Sequence, residues 1–213
     1  PRLFDFLRNE LGDSIELIHD VHERVTPSQA LRLANDLAPY NLFYLEDLLR
    51  PEHLDTFRLV RNQSSIPLAM GEIFCNPWEG QELWLDHLVD YVRHDLAHVG
   101  GITAGRKIAA TCESRGVLTA WHGPGNIPPV THMANAHLSL SVPNFGIQEF
   151  DANWDHRVEQ VFTAVPLYDD GHVSVPLSPG LGCDVDIDAA RQFPYVRRMR
   201  PTIRREDGTP WAY

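Results

Sequence analysis

Ionisable residues recur at nearly constant intervals along the first 150 residues, each at or just after the end of a short apolar run. The six residues that share this position are Asp20, Glu46, Glu72, Asp95, His122 and Glu149. The first three are 26 residues apart each time, and the later intervals are 23, 27 and 27 residues. Since a strand, a helix and their connections occupy about this length, the spacing predicts consecutive βα units.

A (β/α) barrel accounts best for this pattern. The strands of such a barrel all end at one shared mouth, where side chains distant in sequence converge. The alternative is an open, doubly wound sheet, which would spread six such positions along a line. That fold also usually carries a glycine-rich phosphate loop after its first strand, and the sequence has none. We therefore predict an α/β fold, with a partial (β/α) barrel of about six strands and its metal site in residues 1–150.

Local signals predict the individual elements. The apolar runs that we interpret as strands are Ile15–Ile18, Leu42–Leu45, Ile66–Met70, Val89–Val92, Val117–Trp121 and Phe145–Ile147. Helix starts are predicted at Thr26-Pro27 and Asn76-Pro77, where a capping side chain precedes a proline at the first helical position. Because a closed barrel of this type needs eight strands, we expect that two strands, and anything that precedes them, are absent from this chain.

The strand pattern stops after Glu149. Residues 151–213 are rich in Pro and Gly, and we interpret them as a C-terminal tail that packs on the barrel or on a second, lid domain. Within it we predict a short strand at His172–Val175 and a short helix near Asp186–Phe193.

Charge and composition exclude several functions. The formal net charge is −11 and no basic stripe relieves it, so nucleic acid is not an expected partner. The longest apolar runs fall well short of the ~20 residues that a membrane span requires. The three cysteines form no C-x-x-C pair, which disfavours a disulfide framework and a structural zinc site. Reduced cysteines fit a cytoplasmic protein, and we expect it to form a homo-oligomer.

Asp20, Glu46 and Glu72 are the candidate metal ligands. Hard oxygen ligands on three successive strand ends, without cysteine, suit Mg²⁺. Three carboxylates without a cation would repel one another, so a single divalent cation also resolves their electrostatics. Such a cation can bind a substrate carboxylate and stabilise the negative charge that develops when the adjacent carbon loses its proton.

The remaining candidates surround this predicted centre. His22 stands two residues after Asp20, on the same strand face by alternation, where it can protonate a leaving hydroxyl. Asp95 can hydrogen-bond to His122 on the next strand and fix its tautomer, so His122 is a second candidate catalytic residue. The candidate substrate-binding residues are Arg93, Asp95, Asn126, Glu149 and Trp211.

Several segments resemble the enolase superfamily and, within it, the mannonate dehydratase group of acid-sugar dehydratases. These segments are Asp20-Val21-His22, Tyr44-Leu45-Glu46-Asp47, Met70-Gly71-Glu72, Gly100-Gly101-Ile102-Thr103, His122-Gly123-Pro124, the run from Pro179 to Asp186, and Gly208-Thr209-Pro210-Trp211. The resemblance extends over essentially the whole chain.

The resemblance implies Mg²⁺-dependent dehydration of a sugar acid, D-mannonate or D-gluconate, to a 2-keto-3-deoxy acid through a metal-stabilised enediolate. It also implies that Arg93, His122 and Glu149 line the substrate and that Trp211 approaches the pocket. The base at carbon 2 would be a tyrosine paired with an arginine in an early part of the barrel. We expect that part, and the lid domain before it, to be absent here.

Two other functions stay open at this stage. Asn126 occupies a turn where many members of the group carry Asp, which removes a charge next to the substrate hydroxyls. A weakly active or inactive homologue that binds or senses a sugar acid is therefore one alternative. The other is a racemase or epimerase acting at carbon 2, with His122 and Asp95 as its acid/base pair.

Overall fold

The computed structural model describes residues 1–151, 154–197 and 204–209. Its main sheet has six strands in sequential order, and every neighbouring pair is parallel. The strands are β1 (Ile18–Asp20), β2 (Tyr44–Glu46), β3 (Leu68–Met70), β4 (Tyr91–Val92), β5 (Leu118–Trp121) and β6 (Phe145–Gln148). Because the order never reverses, the sheet is a partial barrel and not a doubly wound sheet, as the spacing predicted.

Helices connect the strands. In chain order they are α1 (Arg2–Leu11), α2 (Pro27–Leu37), α3 (Leu54–Gln63), α4 (Gln81–Leu85), α5 (Leu96–Val99), α6 (Gly101–Glu113) and α7 (Pro129–Leu140), with a 3₁₀ turn at Ala38–Tyr40. The predicted start of α2 is confirmed: the side chain of Gln29 accepts a hydrogen bond from the Thr26 backbone at 2.9 Å. No helix among the described residues is long and apolar enough to cross a membrane.

The predicted helix start at Asn76-Pro77 is wrong. The Asn76 side chain caps a turn, in which it accepts a hydrogen bond from the Trp78 backbone at 3.0 Å. The helix α4 begins only at Gln81, because Gly80 adopts a left-handed conformation with φ of 68°. The first strand is also displaced from its predicted position, since β1 begins at Ile18 where the prediction ended.

The two faces of the sheet have different neighbours because side chains alternate along each strand. On β2, Leu45 belongs to the main hydrophobic core, whereas Tyr44 belongs to a small separate cluster with Ala69 and Ala120. Glu46 shares the face of Tyr44 by alternation. The candidate site therefore lies on the concave face, above a layer that includes Tyr44 and Tyr91 with ring centroids 5.2 Å apart.

The residues after β6 form short elements. They are α8 (His156–Val161), a two-stranded antiparallel ribbon of β7 (Tyr168–Asp169) and β8 (His172–Val173), and α9 (Ile187–Ala190). The short strand and the short helix predicted in this tail are thus confirmed, both with narrower bounds.

Candidate metal centre

The three predicted metal ligands lie at the carboxyl ends of neighbouring strands. Asp20 and Glu46 end β1 and β2 and are directly paired in the sheet register. Glu72 follows β3 after Gly71, whose φ of 143° turns the chain at a point where an added Cβ would lie 3.0 Å from the Arg93 backbone nitrogen. All three carboxylates line one cavity of about 280 Å³. The three acids predicted from the sequence as metal ligands therefore lie together in the folded protein.

A fourth carboxylate, Asp47, completes the cluster. Potential ligand atoms of Glu46, Asp47 and Glu72 lie within 4.8 Å of one another, and so do those of Asp20, His22 and Asp47. Asp47 is thus the residue that the two groups share. Sequence reasoning missed it as a ligand, because strict alternation would place it on the face opposite Glu46. In the structure Asp47 has a φ of 41°, so the extended strand has ended and alternation no longer applies.

The electrostatics of this cluster fit a hard divalent cation. Burial, offset in part by Arg93, raises the pKa of Glu46 to about 7. Burial and the neighbouring carboxylates raise the pKa of Asp47 to about 9. Both shifts express first the cost of burying a charged carboxylate and second the repulsion between neighbouring carboxylates. A cation that prefers oxygen ligands would remove this cost, so the donor set suits Mg²⁺.

His22 lies beside the acids, but not for the reason that strand alternation gave. The strand β1 ends at Asp20, and His22 has a left-handed φ of 54°. Its backbone N–H donates to Asp20 Oδ1 at 2.7 Å, and its Nδ1 lies 3.2 Å from Asp20 Oδ2 and 3.5 Å from Glu72 Oε1. About half of the side chain is exposed, so the imidazole can face both the acids and an incoming molecule.

Arg93 joins the acid cluster to the opposite side of the cavity. Its buried guanidinium donates from Nε to Glu46 Oε1 at 2.5 Å and from Nη2 to Glu149 Oε2 at 2.8 Å. A third bond runs from Nη1 to the carbonyl of Ala120 at 3.1 Å. Although burial opposes charge on both partners, their pairing raises the pKa of Arg93 and lowers the pKa of Glu149. Glu149 also accepts a hydrogen bond from the Gly123 backbone at 2.9 Å, which fixes its orientation.

The predicted pair of Asp95 and His122 is formed. Asp95 Oδ2 lies 2.9 Å from His122 Nδ1, while Asp95 Oδ1 caps α5 by accepting a bond from the Ala97 backbone at 2.7 Å. Burial disfavours charge on both groups, yet their hydrogen bond lowers the pKa of Asp95 and raises that of His122. The other ring nitrogen, Nε2, lies 3.6 Å from Glu72 Oε2. The imidazole is therefore held by Asp95 with its free edge toward the acid cluster.

Comparisons with known proteins identify the fold family. A family model described as enolase C-terminal domain-like matches residues 2–190. The chain belongs to the enolase C-terminal domain-like family. Among solved structures, an enolase from Pantoea ananatis with bound D-gluconate and Mg superimposes with a TM-score of 0.87 at 48% identity. That match covers 92% of this chain and 47% of the Pantoea chain.

Curated relatives agree with this membership. A D-galactonate dehydratase family member of Musicola paradisiaca (strain Ech703) is 50% identical over 194 residues, which cover 91% of this chain and 46% of the relative. A D-mannonate dehydratase of Caulobacter sp. (strain K31) is 44% identical over 213 residues, which cover 100% and 53%. This enolase-like chain thus spans about half the length of the curated relatives that it matches.

Two predicted site residues, Asn126 and Trp211, make none of the contacts described above. Asn126 is exposed in the turn between β5 and α7. Trp211 lies outside the described residues. The structure adds one residue behind the site that the sequence did not indicate: buried Asn135 donates from Nδ2 to the carbonyl of His122 at 3.0 Å. No spacing signal could have found this contact, since it joins a helix to a strand end.

Proposed function

We propose that the protein containing this chain is a Mg²⁺-dependent dehydratase of a sugar acid, D-mannonate or D-gluconate. The observation that carries the proposal is that Asp20, Glu46 and Glu72 line one cavity. Two histidines lie beside these acids, the half-exposed His22 and the largely buried His122. The names of the relatives and the D-gluconate and Mg in the Pantoea ananatis enolase support it.

Asp20, Glu46 and Glu72 would hold the cation. When bound, the cation supplies positive charge for the substrate carboxylate and for the negative charge that develops as carbon 2 loses its proton. Arg93 holds Glu46 and Glu149 in place through its two ion pairs and favours the ionised form of each. The chain therefore contributes a preorganised polar surface on which the reacting end of an aldonate can be oriented.

The two histidines divide the proton transfers. Dehydration removes a proton from carbon 2 and a hydroxide from carbon 3, so the leaving hydroxyl needs a proton to depart as water. His22 is half-exposed beside the acids and gives this proton. His122, oriented by Asp95, holds or returns a proton at the substrate as the resulting enol becomes the 2-keto-3-deoxy acid. From the resemblance, we expect the base at carbon 2 to be a tyrosine outside this chain.

The test uses the complete protein, an aldonate library and a keto-acid assay. We expect turnover of at least one aldonate with Mg²⁺ and its loss in EDTA. Glu46→Gln should lower both cation affinity and kcat at least a hundredfold, because it removes a ligand charge from the cluster. The matched control is Glu10→Gln on α1, an exposed position where neither quantity should change. Full activity of Glu46→Gln would overturn the proposal, and binding without turnover would favour a sensing homologue.

The pair of Asp95 and His122 supports one second candidate, racemisation or epimerisation at carbon 2. A histidine held at 2.9 Å by a buried carboxylate can take a proton from carbon and return it. In deuterated water this activity would exchange the proton at carbon 2 without forming keto acid. Keto acid formation at the rate of exchange would exclude it.

A further inference from the structure

The buried side chain of Asp47 has no partner among the described residues, although it lies beside the carboxylates that line the polar cavity. Its residue exposure is 0%, and neither carboxylate oxygen has a hydrogen-bond partner among the described residues. Buried carboxylates are ordinarily paired with a cation or satisfied by several donors, because an unpartnered one loses its hydration without compensation. The side chain therefore requires a partner that the described part of the chain does not supply.

Hydrogen bonds on both sides hold the backbone of Asp47. The Asp47 N–H donates to the carbonyl of Ala69 at 3.0 Å, and the Asp47 carbonyl accepts from the Glu23 N–H at 2.7 Å. These bonds tie the residue to both neighbouring strand ends. They hold the left-handed φ of 41°, and in this conformation the carboxylate is buried beside the other acids.

The position of the carboxylate indicates what its partner is. Its oxygens lie within 4.8 Å of ligand atoms from Glu46 and Glu72 in one group, and from Asp20 and His22 in the other. Arg93 is a buried cation of the same site, but its guanidinium is already bonded to Glu46 and Glu149. The unpartnered oxygens therefore lie among the proposed metal ligands, where positive charge is in deficit.

We propose that Asp47 is a fourth acidic group of the cation site and links its Asp20 side to its Glu46 and Glu72 side. Asp47 acts on the cation directly or through a water molecule of the cation's shell, and in either case its negative charge raises cation affinity. This inference rests on the proposed function only in requiring that a divalent cation binds here. Asp47 is an addition to the three proposed ligands, which could bind a cation without it.

The experiment measures cation binding and not turnover. In the complete protein, Mn²⁺ affinity is determined by electron paramagnetic resonance, and the thermal midpoint is recorded in EDTA and in Mg²⁺. Asp47→Asn keeps the shape of the side chain and removes its charge. We expect the Mn²⁺ Kd to rise about tenfold or more, a fold-change typical when a supporting group of a metal site is lost. We also expect the midpoint in EDTA to rise and the Mg²⁺-induced increase to shrink.

Two matched variants separate this role from a general loss of negative charge. Glu23→Gln neutralises an acid close enough to Asp47 to contribute to its pKa but absent from both ligand groups. Asp90→Asn neutralises an aspartate that is bonded to Arg61 and to the Leu68 backbone, at the opposite end of the strands. Neither should change the Mn²⁺ Kd more than about threefold, and Asp90→Asn should lower the thermal midpoint.

The outcomes distinguish this inference from the proposed function. If the unsubstituted protein binds no Mn²⁺ or Mg²⁺, the proposed function fails, and this inference fails with it. If the unsubstituted protein binds Mn²⁺ and Asp47→Asn binds it equally well, only this inference is overturned, and Asp47 is a structural residue satisfied by water. Should Asp47→Asn not fold, Asp47→Ser is measured against the same criterion.

Discussion

The two halves of the polar edge of the sheet differ in how their charges are compensated. We call the ends of β1 to β3 the cation half and the ends of β4 to β6 the paired half. The cation half contains Asp20, Glu46, Asp47 and Glu72, and no residue that the structure describes partners either Asp47 oxygen. The paired half contains Arg93, Asp95, His122 and Glu149, and each of these makes at least one direct ionic or hydrogen-bonded contact.

The charges of the paired half are balanced by the protein's own groups, whereas those of the cation half are not. In the paired half, opposite charges and backbone donors hold each side chain, and the pKa values of Asp95 and Glu149 are lowered despite burial. In the cation half, burial raises the pKa values of Glu46 and Asp47, and the neighbouring carboxylates add to both shifts. The paired half is thus preorganised by its own residues, whereas the cation half requires an added positive charge.

The largest effect is expected from Arg93→Met, because the Arg93 guanidinium donates hydrogen bonds to Glu46 in the cation half and to Glu149 in the paired half. Its removal leaves the buried Glu46 and the partly exposed Glu149 without their cation. We expect a loss of about 3–5 kcal/mol in the free energy of unfolding, the range found when one partner of a buried ion pair is removed. Denaturant unfolding in EDTA measures it.

The control for Arg93→Met is Arg58→Met, which breaks exposed ion pairs with Asp55 and Asp86. Exposed pairs contribute little to stability, so this variant should unfold almost as the unsubstituted protein does. Equal losses in the two variants would show that Arg93 does not compensate the buried acids.

A smaller effect is expected from His94, which lies between Arg93 and Asp95 but points into the core. Its ring lies 5.3 Å from the rings of Phe74 and Trp84, and burial lowers its pKa to about 3. As pH falls below the unfolded pKa of about 6.5, the unfolded state binds a proton and the folded state does not. Stability should therefore fall by up to about 1.4 kcal/mol per pH unit in this range.

The measurement is the free energy of unfolding in EDTA between pH 6.5 and 5, for the unsubstituted protein and for His94→Met. The difference between their slopes isolates the contribution of His94 from that of the carboxylates. Parallel slopes would mean that His94 is charged or solvated in the folded protein, contrary to its complete burial.

The smallest effect is expected from Asn126→Asp, at the exposed rim of the paired half. Restoring the acid that the resemblance expects in this turn should change the ratio of kcat/KM for mannonate and gluconate by about tenfold, as the gain or loss of one substrate hydrogen bond does. The thermal midpoint should stay the same, because exposed substitutions rarely alter stability. An unchanged ratio would remove Asn126 from the substrate-binding residues.

The sequence predicted the six strands and the polar residues at their ends because both follow from local periodicity. The interval of 26 residues between Asp20, Glu46 and Glu72 reflects one βα unit, and the structure has one strand for each interval. The contact between Asp95 and His122 was also predictable, since residues ending adjacent parallel strands must lie side by side.

The role of Asp47 was not predictable, because it depends on conformations just beyond the strands. Alternation holds only while the chain is extended, and His22 and Asp47 both have positive φ values. The misplaced helix start at Asn76-Pro77 has a similar origin. The capping signal is real, but Gly80 places the chain in a turn before α4 begins.

The sequence by itself thus determined the order of elements, the kind of ligand atom and the edge of the sheet at which those atoms meet. These properties are set by composition, spacing and the pleat of a strand. Only the tertiary structure decided which carboxylates are compensated, because compensation depends on burial and on contacts between residues as distant as Arg93 and Glu46. Charge balance inside a protein is a property of the assembled neighbours and not of any local segment.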